Sequence, residues 1–169
     1  MPDWLVDGTT PDADPWPPSL RARAEAAADR AGLGAEAVRV LLGAALVDSL
    51  VRTATRLTVG RTRVQHDGNT LLAADDPQFV EVLRETSGLA VAAVAAAEQL
   101  LYGALDRAAA EDLQFGVRAI TERTFDRVFE TLGASATLEH NGLHRLRHAA
   151  TLLWSEIESA EPIRGRTGR

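Results

Sequence analysis

Cysteine is absent from this 169-residue chain. Its absence excludes a disulfide framework, a zinc-thiolate centre and a thiol nucleophile, and it fits a reducing compartment. Lysine is absent as well: all 18 basic residues are arginine, set against 24 acidic ones, for a net charge of −6. A chain with this balance lacks the general phosphate-binding surface of a DNA- or RNA-binding protein, so no nucleic-acid partner is expected. No apolar run approaches the roughly 20 residues that a bilayer demands, and no membrane partner is expected either. The N-terminal stretch carries acids and prolines where a secretory signal has basic and then apolar residues, so the chain is read as cytoplasmic. Strand-type alternation of apolar and polar residues is also missing.

What the chain does contain points to helix. The length suits one domain able to bury a core without disulfides or metal. With 46% apolar and 25% charged residues it has an ordinary globular composition. Alanine fills about thirty positions, well above average usage, and alanine and arginine are both good helix formers.

Residues 1–34 form an N-terminal unit. Pro2, Pro11, Pro15, Pro17 and Pro18 with Gly8 make an irregular arm whose large apolar groups are Trp4 and Trp16. Ser19 is then read as the N-cap of a short helix that stops near Gly32 and Gly34. Residues 35–160 are read as a helical bundle. Over 35–63, Val38, Leu41, Leu42, Ala45, Leu46, Leu50, Ala54 and Leu57 recur at helical spacing. A loop with the turn chemistry His66-Asp67-Gly68-Asn69 follows. Asp76-Pro77 supplies an N-cap and an N1 proline for a third helix, whose small-residue middle at 88–97 invites close approach of another helix. After a break at about 107–112, Leu113, Val117, Ile120, Thr124, Val128 and Leu132 mark a fourth helix ending at Gly133. A last helix carries Leu143, Leu146, Ala150, Leu153 and Ile157 and stops before Pro162, leaving a flexible basic tail at 161–169. The expected fold is all-α, an antiparallel four-helix bundle with an extra N-terminal arm and short helix.

Few residues announce chemistry. The paired Glu-x-x-His motifs of a di-iron bundle are missing, as are a Gly-rich phosphate loop, a nucleophile elbow and a His-Glu-x-x-His zinc motif. His140, His144 and His148 are spaced four apart, and Gly142 interrupts the helix after the first, leaving His144 and His148 as the candidate metal pair. A polar stripe beside Arg145 and Arg147 accounts for them more simply, since a closed site wants further ligands and none is signalled, and no metal is expected. Arg61, Arg63 and Gln65 stand where the second helix runs into a loop. They suit either the negative end of the helix dipole or an anion such as a pyrophosphate. The loop Gly133-Ala134-Ser135-Ala136-Thr137 offers backbone N–H groups and two hydroxyls, suited to a nucleotide or to a turn.

Read in order, three stretches resemble the C-terminal helical domain of the acyl-CoA dehydrogenase superfamily, in its flavin-dependent monooxygenase-like branch. They are Leu71-Leu72-Ala73-Ala74-Asp75-Asp76-Pro77-Gln78, Leu132-Gly133-Ala134-Ser135-Ala136-Thr137, and Gly142-Leu143-His144-Arg145-Leu146-Arg147-His148-Ala149-Ala150-Thr151. The resemblance covers about residues 35–155. It implies a helical domain that drives oligomer formation and helps hold FAD, often across a subunit boundary. By position it makes Arg63, Gln65, Ser135 and Thr137 the cofactor-binding candidates. The chain departs from the family pattern at His66-Asp67-Gly68, at Ala150 in place of a later arginine, and at Leu152-Leu153-Trp154-Ser155-Glu156 in place of a histidine segment. A leucine or tryptophan there shuttles no proton, and no catalytic residue is assigned. Nothing in residues 1–34 resembles the family's other two domains. The leading expectation is therefore a small helical subunit or truncated relative of a flavin oxidoreductase. It would self-associate and contribute to a flavin and acyl site with a full-length partner. The alternative is a cofactor-free helical bundle that binds a small molecule or a protein; an enzyme using His144 and His148 is the third.

Overall fold

The structure is a computed structural model that describes residues 18–58, 61–64, 68–103, 105–133 and 142–160. The proline-rich arm with Trp4 and Trp16 and the basic tail lie outside the described residues. Among those described the chain is all-helical apart from one small ribbon. The helices are α1 (Pro18–Arg30), α2 (Ala35–Thr58), α3 (Pro77–Tyr102), α4 (Arg107–Leu132) and α5 (Leu143–Ala160).

Local chemistry sets most of these boundaries. α1 begins one residue ahead of the expected cap, at Pro18, whose fixed φ suits a first helical turn. It ends where Gly32, at φ 67°, takes the left-handed turn and the Leu33 N–H donates back to the Ala28 carbonyl at 3.0 Å. α3 starts as expected: the Asp76 carboxylate accepts from the Gln78 N–H at 2.9 Å, and Pro77 fills the first turn. α4 starts several residues earlier than its apolar pattern suggests, because Asp106 accepts from the Ala109 N–H at 2.9 Å and caps it. It closes at Gly133, φ 55°, and Gly142, φ 78°, precedes α5.

The largest correction concerns the end of α2. It stops at Thr58 rather than running to residue 63. Thr58-Val59-Gly60 combines β-branched residues with glycine, all poor helix formers. The chain then forms two strands that the sequence pattern had not signalled, β1 (Thr62–Val64) and β2 (Thr70–Leu72). They pair antiparallel with Thr62 opposite Leu72 and Val64 opposite Thr70. Three-residue strands are too short to show alternation, and threonine and valine favour the extended form. The Ala73 N–H extends the pairing to the Arg61 carbonyl at 2.8 Å. A 3₁₀ turn, Ala73–Asp75, then leads into α3.

α2 is the central element, packed against α1, α3, α4 and α5. Its buried positions include Val40, Leu42, Leu46, Val47, Leu50 and Val51, spread around the helix rather than along one stripe, as expected of a helix enclosed on all sides. Ala24 and Ala28 of α1 share the core that α2 forms with Leu100, Val117, Phe125, Leu143, Leu146 and Trp154. Gly43 is a point of close approach. A Cβ there would lie 2.7 Å from Val117 Cγ1 and 2.9 Å from Trp154 Cζ2.

Specific contacts give the helix directions. Arg39 of α2 donates to Gln114 Oε1 of α4 at 3.1 Å, and Gly43 abuts Val117, so α2 and α4 run the same way. Glu85 of α3 accepts from Arg123 Nη2 at 2.8 Å and from Arg127 Nε at 2.7 Å. The four-residue link between α3 and α4 therefore folds one back along the other. These bonds, from Arg123 first and Arg127 next, hold the Glu85 carboxyl below its ordinary pKa. Arg147 of α5 stands over Phe129 of α4, whereas Trp154, further along α5, abuts Gly43 beside Val117. α5 thus runs opposite to α4. From the Gly43–Val117 contact, Thr58 and Leu132 each lie fifteen residues onward, about 22 Å at 1.5 Å per residue. The C-terminal ends of α2 and α4 therefore lie on the same side of that contact, and the ribbon follows α2 there.

Candidate functional site

The fold leaves a groove between α4 and α5, which touch only sparsely along their length. Its volume is about 260 Å³. Helical spacing builds each wall. On α4, Val117, Thr121 and Phe125 turn into the protein, and the residue after each, Arg118, Glu122 and Asp126, falls on the groove rim. On α5, Ala150 and Trp154 are buried and form the floor with Phe125, while Arg147, Thr151 and Ser155 make the second rim.

The rim charges are not equivalent. Arg118 Nε donates to Glu122 Oε1 at 2.9 Å, an i,i+4 pair along α4. The Arg147 guanidinium lies 5.1 Å from the Phe129 ring centroid, a cation–π contact. Among the described residues neither Arg147 nor Asp126 forms an ion pair. The groove hydroxyls are turned inward: Thr121 donates to the Val117 carbonyl at 2.7 Å, Thr151 to that of Arg147 at 3.1 Å, and Ser155 to that of Leu152 at 3.0 Å. Thr121 and Thr151 thus spend their protons on backbone carbonyls and keep lone pairs to accept a bond. The Trp154 Nε1 is buried without a hydrogen-bond partner, unusual for an indole N–H. This arrangement suits recognition of a small amphipathic molecule.

The residues singled out from the sequence fare differently. Arg63 sits on β1, its backbone opposite Leu71, and therefore beyond the helix end rather than on it; its side chain lies outside the described atoms. Gln65, Ser135, Thr137 and His140 lie outside the described residues. His144 is half-buried with its Nδ1 unpartnered, and His148, one turn on, is exposed. Among the described residues no three His, Asp or Glu side chains gather as a metal site. Neither His144 nor His148 lines the groove. The groove itself went unnoticed in the sequence, although its signal is there in part: charges at 118, 122 and 126 beside apolar or hydroxyl residues at 117, 121 and 125.

No helix among the described residues is long and apolar enough to cross a membrane. The chain matches no family model, no curated protein and no solved structure.

Proposed function

We propose that this chain is a small helical subunit, or shortened relative, of acyl-CoA dehydrogenase-like flavin oxidoreductases, built as an antiparallel four-helix bundle of α2 to α5 with α1 added. The observation that carries the proposal is the shared end of α2 and α4. The resemblance points to Arg63 and Gln65 after the first long helix, and to Ser135 and Thr137 after the third. Arg63 follows α2 and Gly133 closes α4, and the ends of these two parallel helices lie on one side of their contact, which supports this reading. An arginine fork and a loop of hydroxyls and N–H groups at one end suit the pyrophosphate and ribose of a dinucleotide. FAD would be held together with a partner subunit that supplies the remaining flavin and acyl contacts.

Self-association is part of this reading. α3 turns Val80, Val91 and Val94 outward with Ser87 and Gly88 between them, and Val91 is 70% exposed. A second helix could lie against so flat a face. Light scattering should show a dimer or larger species at micromolar concentration; a strict monomer contradicts it. For the cofactor, FAD is titrated calorimetrically into the chain alone and into its complex with a co-expressed acyl-CoA dehydrogenase-like protein. Saturable binding by the complex supports the proposal. A colourless protein that ignores FAD in both settings sinks it.

A second reading, a cofactor-free bundle that binds a small molecule, is favoured by the α4–α5 groove. It has an apolar floor and a few convergent polar groups, the usual make-up of a ligand site. Under that reading, ligand protection of the groove occurs without FAD.

A further inference from the structure

We infer that the groove between α4 and α5 is a binding site for a small zwitterion with a flat apolar body, of the size and charge pattern of an aromatic amino acid. This rests on the second reading above, that the groove takes a small molecule. Charge selects the class. Arg118 and Glu122 neutralise each other through their 2.9 Å bond. That leaves one cation, Arg147 on the α5 rim, and one anion, Asp126 on the α4 rim, neither in an ion pair among the described residues. A simple carboxylate would meet Arg147 but bring like charge to Asp126. A simple amine would meet Asp126 but bring like charge to Arg147. A ligand with both charges satisfies both walls, and the like-charge contacts reject its singly charged analogues.

The floor selects the body. Phe125 and Trp154 are 7% and 5% exposed and are joined by Ala150, so the floor meets the occupant with aromatic and methyl carbon and favours an apolar ring over a polar body. The volume of about 260 Å³ falls just below the usual range for drug-sized ligands, which suits a single-ring compound.

The test uses the full chain and three probes of one shape: L-phenylalanine, 3-phenylpropionate and 2-phenylethylamine. Binding is read by calorimetry and by the indole N–H signal of Trp154, assigned with a Trp154→Phe variant. L-phenylalanine should shift that signal saturably and bind about tenfold more tightly than either singly charged probe. Arg147→Gln should abolish its advantage over phenylethylamine, and Asp126→Asn its advantage over phenylpropionate. Both side chains are exposed, and unchanged melting will show that the variants fold. Equal binding of the three probes, or variants that keep the preference, overturns the zwitterion assignment and leaves a groove that binds small molecules. No saturable shift with any probe overturns that reading as well.

Discussion

Buried threonines show how a single atom decides a residue's worth. Thr86, Thr121 and Thr124 are at most 1% exposed, and each hydroxyl donates to the carbonyl four residues back. Thr53 is equally buried, yet its Oγ1 has no partner. An unsatisfied buried hydroxyl costs about 1–3 kcal/mol, and valine has nearly the same shape. Thr53→Val should therefore raise the unfolding free energy by about 1 kcal/mol, whereas Thr86→Val should not. Urea unfolding of both variants checks this, and a destabilised Thr53→Val contradicts it. Residue-scale signals in the sequence were legible where a side chain and a backbone bond act within one turn. Asp76, Gly133 and Gly142 did what their chemistry foretells. Asp106 escaped because the apolar pattern of α4 begins well after its cap.

At the scale of the element, two helical glycines look alike in sequence and behave oppositely in the fold. Gly43 lies where α4 and α5 press on α2, and an added Cβ would collide with Val117 and Trp154. Gly88 has nothing within 4 Å. Alanine gains up to about 1 kcal/mol of helix propensity at either position. At Gly43 overpacking of about 1–3 kcal/mol outweighs that gain. Gly88→Ala should raise the melting temperature and Gly43→Ala should lower it; a gain at both would refute the packing described. The sequence pointed to the small residues of α3 for close approach, and Ala90 and Ala93 do bury against Ala44, Val47 and Val51. It missed Gly43, because only the fold brings residues 43, 117 and 154 together. The end of α2 was misread for the opposite reason: the β-ribbon is too short to leave a pattern.

The α3–α4 contact carries a pH dependence. The Glu85 pKa is lowered, so its contribution is present above the ordinary carboxylate range and is lost as pH falls through the depressed value. Glu85→Gln should thus be less stable than the parent near neutrality, with the gap closing in acid. Denaturation midpoints at a series of pH values decide it, and a gap that ignores pH would assign the loss to packing instead.

For the whole molecule, helical content and helix order were readable because a short helix marked by its cap and glycine stop, and four apolar patterns with a period near 3.6, are separated by proline, glycine and aspartate signals. Which faces meet was not readable. α2 is enclosed by four helices rather than contributing one stripe, and the sparse α4–α5 contact that opens the groove follows from packing of the whole. Of the candidate site, sequence named segments; the fold contributed the common direction of α2 and α4, whose ends precede them.

That shared end is the central claim, and flavin occupancy tests it most directly. Arg63 follows α2 at that end, whereas Arg107 opens α4 at the other and is exposed. Each is replaced by alanine in the chain co-expressed and purified with an acyl-CoA dehydrogenase-like protein, and bound FAD is measured by absorbance per complex. The account predicts that Arg63→Ala weakens FAD affinity about ten- to a hundredfold and lowers occupancy with it, as loss of one charge-assisted contact of about 1.5–3 kcal/mol implies, while Arg107→Ala retains it. Equal occupancy in both variants and the parent, or equal loss in both, contradicts it.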